Sequence, residues 1–238
     1  MRLLVLAGGF GTRLKKAIAD VPKALAPIGD IPFLQLQLEH WLAQGLREFT
    51  FLLYHQADQI IAFLQAQQVL LLKDCQVDWL IEPLPLDTGG AITHALKTMD
   101  LEDNFLMTNA DTWLGGGIRE MMQAAAPAMA VINLADVSRY GQVHFDDEQR
   151  VTAFAEKNGQ SDGGWINAGL CHLNVELFQN WDSQPFSLER DLFATIVQNR
   201  RLTAVPLQTD FIDIGVPADY HRFCRWVEAG RPKKSLCN

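Results

Sequence analysis

Several things are scarce in this 238-residue sequence. Cysteine is sparse: Cys75, Cys171, Cys224 and Cys237 lie far apart and form no Cys-x-x-Cys pair. That spacing reads as reduced structural thiols in a cytoplasmic protein. Positive charge is short, with 20 Lys and Arg against 28 Asp and Glu and a net charge of −8. A nucleic-acid binder normally carries a basic face, so that class is disfavoured. A small ligand bearing phosphates is not, because one local cluster of cations can hold it. No apolar run is long enough to span a membrane. Met1-Arg2 leads into a short apolar run that stops at glycine, so no signal peptide is expected. Repeats, low-complexity tracts and linkers are also missing.

What is present begins with Leu3-Leu4-Val5-Leu6-Ala7-Gly8-Gly9-Phe10-Gly11-Thr12-Arg13-Leu14. Five apolar residues followed by glycine read as a buried parallel strand. The glycines permit a sharp turn and close approach of backbone N–H groups to an anion, and Arg13 adds a fixed charge. The P-loop pattern fails because Thr12-Arg13 follows Gly11. The dinucleotide pattern fails because Leu14 stands where its third glycine belongs.

Downstream, strand and helix patterns alternate. Lys23 sits between Pro22 and Pro27 and is expected in extended chain. Pro32 opens a helix whose apolar face includes Phe33, Leu34, Leu38 and Trp41, capped by Gly45. Strands are expected at 49–54, 77–81, 105–107, 130–134, 165–170 and 202–207. Helices are expected at 56–67, from Ala91 to about Thr98, from after Gly117 to near Pro127, from Ser187 to about Asn199, and from Pro217 to about Ala229. Residues 140–154 read as an antiparallel hairpin. The alternation predicts an α/β fold, a Rossmann-like three-layer α/β/α sandwich with a mostly parallel central sheet and a small antiparallel insertion. Asp111 ends a buried strand, as a metal ligand would, although a turn or N-cap Asp fits equally well when judged alone.

Taken together, Leu6 to Leu14, Pro22-Lys23, Pro85-Leu86-Asp87-Thr88-Gly89-Gly90-Ala91, Asn109-Ala110-Asp111, Glu156-Lys157, Asn167-Ala168-Gly169 and Asp213-Ile214-Gly215 resemble, in order, the landmarks of the sugar-1-phosphate nucleotidylyltransferases. The short chain, Glu82 and Pro85-Leu86 are most similar to the D-glycero-D-manno-heptose 1-phosphate guanylyltransferases within that family. Two departures stand out: Asp87 where the family usually has Gly, and Ala110 where Gly is common. The resemblance implies a single nucleotidylyltransferase domain over 1–238 without the C-terminal β-helix domain of some members, with a homodimer as a possibility left open.

The implied reaction is attack of a sugar phosphate oxygen on the α-phosphorus of a nucleoside triphosphate, with GTP favoured. The implied catalytic groups are Arg13 and Lys23. Leu6, Ala7, Gly8, Gly9, Gly11, Thr12, Glu82, Pro85, Thr88, Gly89 and Asn109 would bind the nucleotide. Glu156, Lys157, Asn167 and Gly169 would bind the sugar phosphate. Asp111 and Asp213 would hold Mg²⁺, a hard cation that takes carboxylates together with phosphate oxygens. Mannose or glucose 1-phosphate with GTP, UTP or dTTP remains an alternative, as does a non-catalytic nucleotide-sugar-binding protein.

Overall fold

A computed structural model describes residues 1–14, 18, 20–156, 163–182 and 184–231. The first strand, β1 (Arg2–Leu6), lies in the middle of the main sheet. Leu3, Leu4 and Val5 are fully buried, which is why this run carries no polar alternation. Leu3 and Val5 face a core shared with helices α1 (Phe33–Ala43) and α2 (Ala57–Gln68). Leu4 faces the opposite core, with α3 (Asp87–Met99). β1 pairs in parallel with β4 (Glu48–Leu53) and β6 (Phe105–Asn109), and β4 pairs in parallel with β5 (Gln76–Ile81). The carboxyl ends of these four strands therefore open on one edge, where α/β sheets bind ligands.

The other half of the sheet is mostly antiparallel. β11 (Gly164–Leu173) runs antiparallel to β6, to β8 (Ala128–Leu134) and to β9 (Gln142–Phe145). β9 forms the expected hairpin with β10 (Val151–Ala155), and β12 (Thr203–Leu207) lies parallel to β8. Two small antiparallel pairs sit outside: β2 (Pro27–Ile28) with β3 (Ile31–Pro32), and β7 (Thr112–Leu114) with β13 (Phe211–Asp213). A third apolar cluster, containing Leu14, Phe33, Trp113 and Phe223, packs them under α6 (Pro217–Glu228). The expected layered α/β architecture is the one found.

Four local expectations need correction. Lys23 is not in extended chain: Lys23–Leu25 forms a 3₁₀ turn, closed by Leu25 N–H to Pro22 O and Ala26 N–H to Lys23 O. The third helix begins at Asp87, not Ala91. The helix after Gly117, α4 (Ile118–Gln123), stops four residues short of Pro127. The stretch after Ser187 is a six-residue π-helix, Leu188–Phe193, followed by the short α5 (Ala194–Gln198).

Candidate active site

A cavity of about 700 Å³ opens at the strand ends. Its wall includes Leu6, Ala7, Gly8 and Gly9 from the end of β1, Tyr54 after β4, Glu82 after β5, and Asn109, Ala110 and Asp111 after β6. Pro85, Asp87 and Thr88, with Lys23 and Asp213, complete the expected residues that line it. Parallel pairing explains the convergence, since Leu6 is in register with both Leu52 and Asn109.

The three glycines of the loop have different surroundings. A Cβ on Gly9 would meet nothing within 4 Å, so its backbone faces open space. Gly8 is different: a Cβ there would lie 2.7 Å from Glu82 Oε1. Gly11 takes φ +61°, and its position packs against the Lys23 side chain. Thr12 and Arg13 are exposed beyond the turn, which the buried Leu14 anchors.

One end of the cavity carries alternating charge. Lys23 is ion-paired with Asp111. Asp213 follows by sheet pairing: it is the register partner of Thr112, and Ile214 N–H donates to Asp111 O at 2.9 Å. Burial, and then the neighbouring Asp111 charge, push the Asp213 carboxyl above its usual range, while Lys23 and Arg13 pull it down. Two adjacent carboxylates, one of them poorly solvated, are a setting that a further cation relieves. No cluster of three or more His, Cys, Asp or Glu suited to a metal occurs among the described residues. Two carboxylates completed by phosphate oxygens suit Mg²⁺.

The opposite end is acidic. Glu82 is buried; its Oε2 accepts the Leu86 N–H at 3.0 Å, and burial pushes its carboxyl above the usual value. Asp87 holds φ +58°, a conformation that explains why glycine suits the position and that Asp tolerates. Its carboxylate accepts Thr88 N–H at 2.8 Å and pairs with Arg190 at 3.2 Å.

Gly89 turns away from the cavity. Its N–H and that of Gly90 donate to Phe186 O, at 2.9 and 3.3 Å, and a Cβ on Gly89 would lie 2.1 Å from the Phe186 ring. The N-terminus of α3 is thus capped by its own chain, with no amide of Gly89 or Gly90 left over for an anion.

On β11, the Asn167 side chain accepts the Gly169 N–H at 2.9 Å across an irregularity in the strand. Gly169, at φ +75°, lets the chain approach the Asn109 amide and Thr112. Glu156 is exposed just after β10 and does not line the cavity, and Lys157 lies outside the described residues.

Sequence reasoning missed several residues that line or brace the site. Phe10 is 48% exposed between two glycines and packs edge-on against Tyr54 at 5.7 Å, an exposed aromatic that a stricter reading of the loop would have noticed. Gln37 is buried on the apolar α1, and its amide donates to Thr112 O at 2.8 Å, bracing the turn that carries Asp111. Pro185 and Glu189 reach the cavity from the far end of the chain, with no local signal.

A model of the family described as Nucleotidyl transferase matches residues 2–229. The D-glycero-alpha-D-manno-heptose 1-phosphate guanylyltransferase of Campylobacter jejuni is 34% identical over 225 residues, 94% of this chain and 98% of that protein. Its namesake from Aneurinibacillus thermoaerophilus is 30% identical over 228 residues, covering 93% and 96%. The crystal structure of HddC from Yersinia pseudotuberculosis complexed with GMP-PN superimposes with a TM-score of 0.82 at 30% identity, covering 95% of this chain and 99% of that one. On the match over residues 2–229 and on these relatives, the chain belongs to the nucleotidyl transferase family.

Proposed function

We propose that this enzyme transfers GMP from GTP to D-glycero-α-D-manno-heptose 1-phosphate, releasing pyrophosphate. The observation that carries the base assignment is the buried carboxylate of Glu82 on the cavity wall. Guanine offers N1–H and N2–H₂ as adjacent donors, which an ionised carboxylate accepts. Uracil and thymine flank one N–H with two carbonyls, which a carboxylate repels. The heptose assignment is supported by the names of the two relatives matched over nearly their whole length.

The sugar phosphate needs no general base, since a phosphate monoester loses its second proton near pH 6 (about 6). Its oxygen forms a bond to the α-phosphorus as the bond from that phosphorus to the α,β-bridging oxygen breaks. The difficulty is bringing anions together, so cations and positioning supply the catalysis. Arg13 holds the triphosphate at the glycine turn, and Gly8, Gly9 and Gly11 let it lie close to the backbone. Lys23, released from Asp111, neutralises charge at the α-phosphate. Asp111 and Asp213 would hold Mg²⁺, which when bound supplies positive charge to the phosphate oxygens. Asn167, Gly169, Glu156 and Lys157 form the sugar-phosphate side of the reading. The domain is read as a single catalytic unit.

A cytoplasmic location agrees with these substrates and with the free thiols of Cys75, Cys171 and Cys224; no helix among the described residues is long and apolar enough to cross a membrane.

Pyrophosphate release measured for GTP, ATP, CTP, UTP and dTTP, each with heptose, mannose and glucose 1-phosphate, tests the proposal. Turnover highest with GTP and heptose 1-phosphate is expected. A preference for UTP or dTTP overturns the base assignment, and a preference for mannose 1-phosphate overturns the sugar.

A further inference from the structure

We propose that Glu189 accepts a hydrogen bond from the 2-amino group of guanine, making it a second specificity residue for the base. The inference rests on the guanylyltransferase reading above. It starts from a count of donors. The guanine edge carries one N1–H and two N2–H groups. The Glu82 carboxylate is held in place, its Oε2 accepting the Leu86 N–H and its Oε1 lying against Gly8. A two-point contact from Glu82 pairs N1–H and one N2–H, and leaves the second N2–H for another acceptor. Asp87 does not help, because its carboxylate is taken by the Thr88 N–H and by Arg190.

Glu189 lines the same cavity as Glu82, Asp87 and Thr88. Its Oε2 accepts the Thr88 hydroxyl at 2.9 Å and the Ser187 hydroxyl at 3.1 Å. Two donors on one oxygen fix the carboxylate, and Oε1 has no protein donor among the described residues. The Thr88 hydroxyl is itself oriented, since it accepts the Leu188 N–H at 2.8 Å while donating to Glu189. The side chain is thus a pre-positioned acceptor on a binding wall. It comes from a π-helix, an irregularity frequent at functional sites.

The test compares GTP with ITP, which differs only in lacking the 2-amino group. Wild type is expected to prefer GTP in kcat/KM. In Glu189→Gln the two hydroxyls donate to the amide carbonyl, turning the amide N–H₂ toward the base, so donor would face donor. The GTP/ITP ratio should then fall by roughly tenfold or more, the scale of a hydrogen bond to a charged group. Glu189→Ala should lower the ratio as well, and a thermal melt of each variant reports folding.

If Glu189 only braces Thr88 and Ser187, kcat/KM falls for GTP and ITP alike and the ratio is unchanged, which overturns the proposal. A wild type that prefers GTP to UTP but uses ITP equally well also overturns it, while leaving the guanylyltransferase reading intact. A wild type that prefers UTP instead removes that reading itself.

Discussion

Two glycine pairs, Gly8-Gly9 and Gly89-Gly90, look alike in the sequence, yet Gly9 and Gly89 face opposite kinds of surroundings. Gly9 faces empty space, on the wall of the cavity. Gly89 faces the Phe186 ring, so its missing side chain makes room for the protein itself. The amides of Gly89 and Gly90 are spent on Phe186 O. A glycine-rich turn before a helix is therefore not by itself an anion cradle. What distinguishes the two is a segment about a hundred residues away. The comparison extends to the two ends of the cavity: Lys23, Asp111 and Asp213 at the end proposed to take the phosphates, and Glu82 and Glu189 at the end proposed to read the base.

The largest effect should come from the phosphate end. Lys23→Ala and Arg13→Ala should each lower kcat on the order of a hundredfold or more, with thermal stability near wild type and an unchanged GTP/UTP ratio. A changed ratio would merge the two ends that the structure separates.

The glycine comparison is broken most directly by paired substitutions. Gly89→Ala must displace Phe186 and should cost about 1–3 kcal/mol of stability, as overpacking does. Gly9→Ala should melt like wild type but raise KM for GTP. Equal melting temperatures for the two variants would erase the distinction between them.

A smaller effect concerns pH. The Glu82 carboxyl binds its proton more tightly in the folded protein than when unfolded, because burial disfavours its charge. Its contribution to stability is full below the ordinary glutamate value of 4.5 and is lost as pH rises through the raised value. Glu82→Gln should therefore melt higher than wild type at pH 7, with the gain shrinking as pH falls toward 4.5. A gain that stays constant with pH would assign it to packing.

The smallest effect is expected for Asp87→Gly. It relieves the left-handed backbone strain but removes a cap on Thr88 N–H and an exposed pair with Arg190. Exposed pairs are worth about 0–1 kcal/mol, so denaturant unfolding should register little net change.

What the sequence made legible was what is local. The apolar run of β1 and the loop after it, Lys23 beside Pro22, and Asp111 at the end of a buried strand all carry their signal within a few residues. Asp213 joins Asp111 only through the pairing of β13 with β7, and a family resemblance was needed to see it. The start of α3 is hidden because Thr88, Gly89 and Gly90 are poor helix formers; hydrogen bonds from the Gly89 and Gly90 N–H groups to Phe186 O overrule that preference. Glu189 was invisible for the same reason. A π-helix imposes no familiar period, and its partner Thr88 lies about a hundred residues earlier.

The central claim is that carboxylates at one end of the cavity, the buried Glu82 first among them, choose the base. Measuring kcat/KM for GTP and UTP in wild type and in Glu82→Gln tests it most directly. The account expects a wild-type preference for GTP that Glu82→Gln reduces by roughly 1–3 kcal/mol, the scale of a bidentate contact to a base. An unchanged GTP/UTP ratio in Glu82→Gln would contradict it.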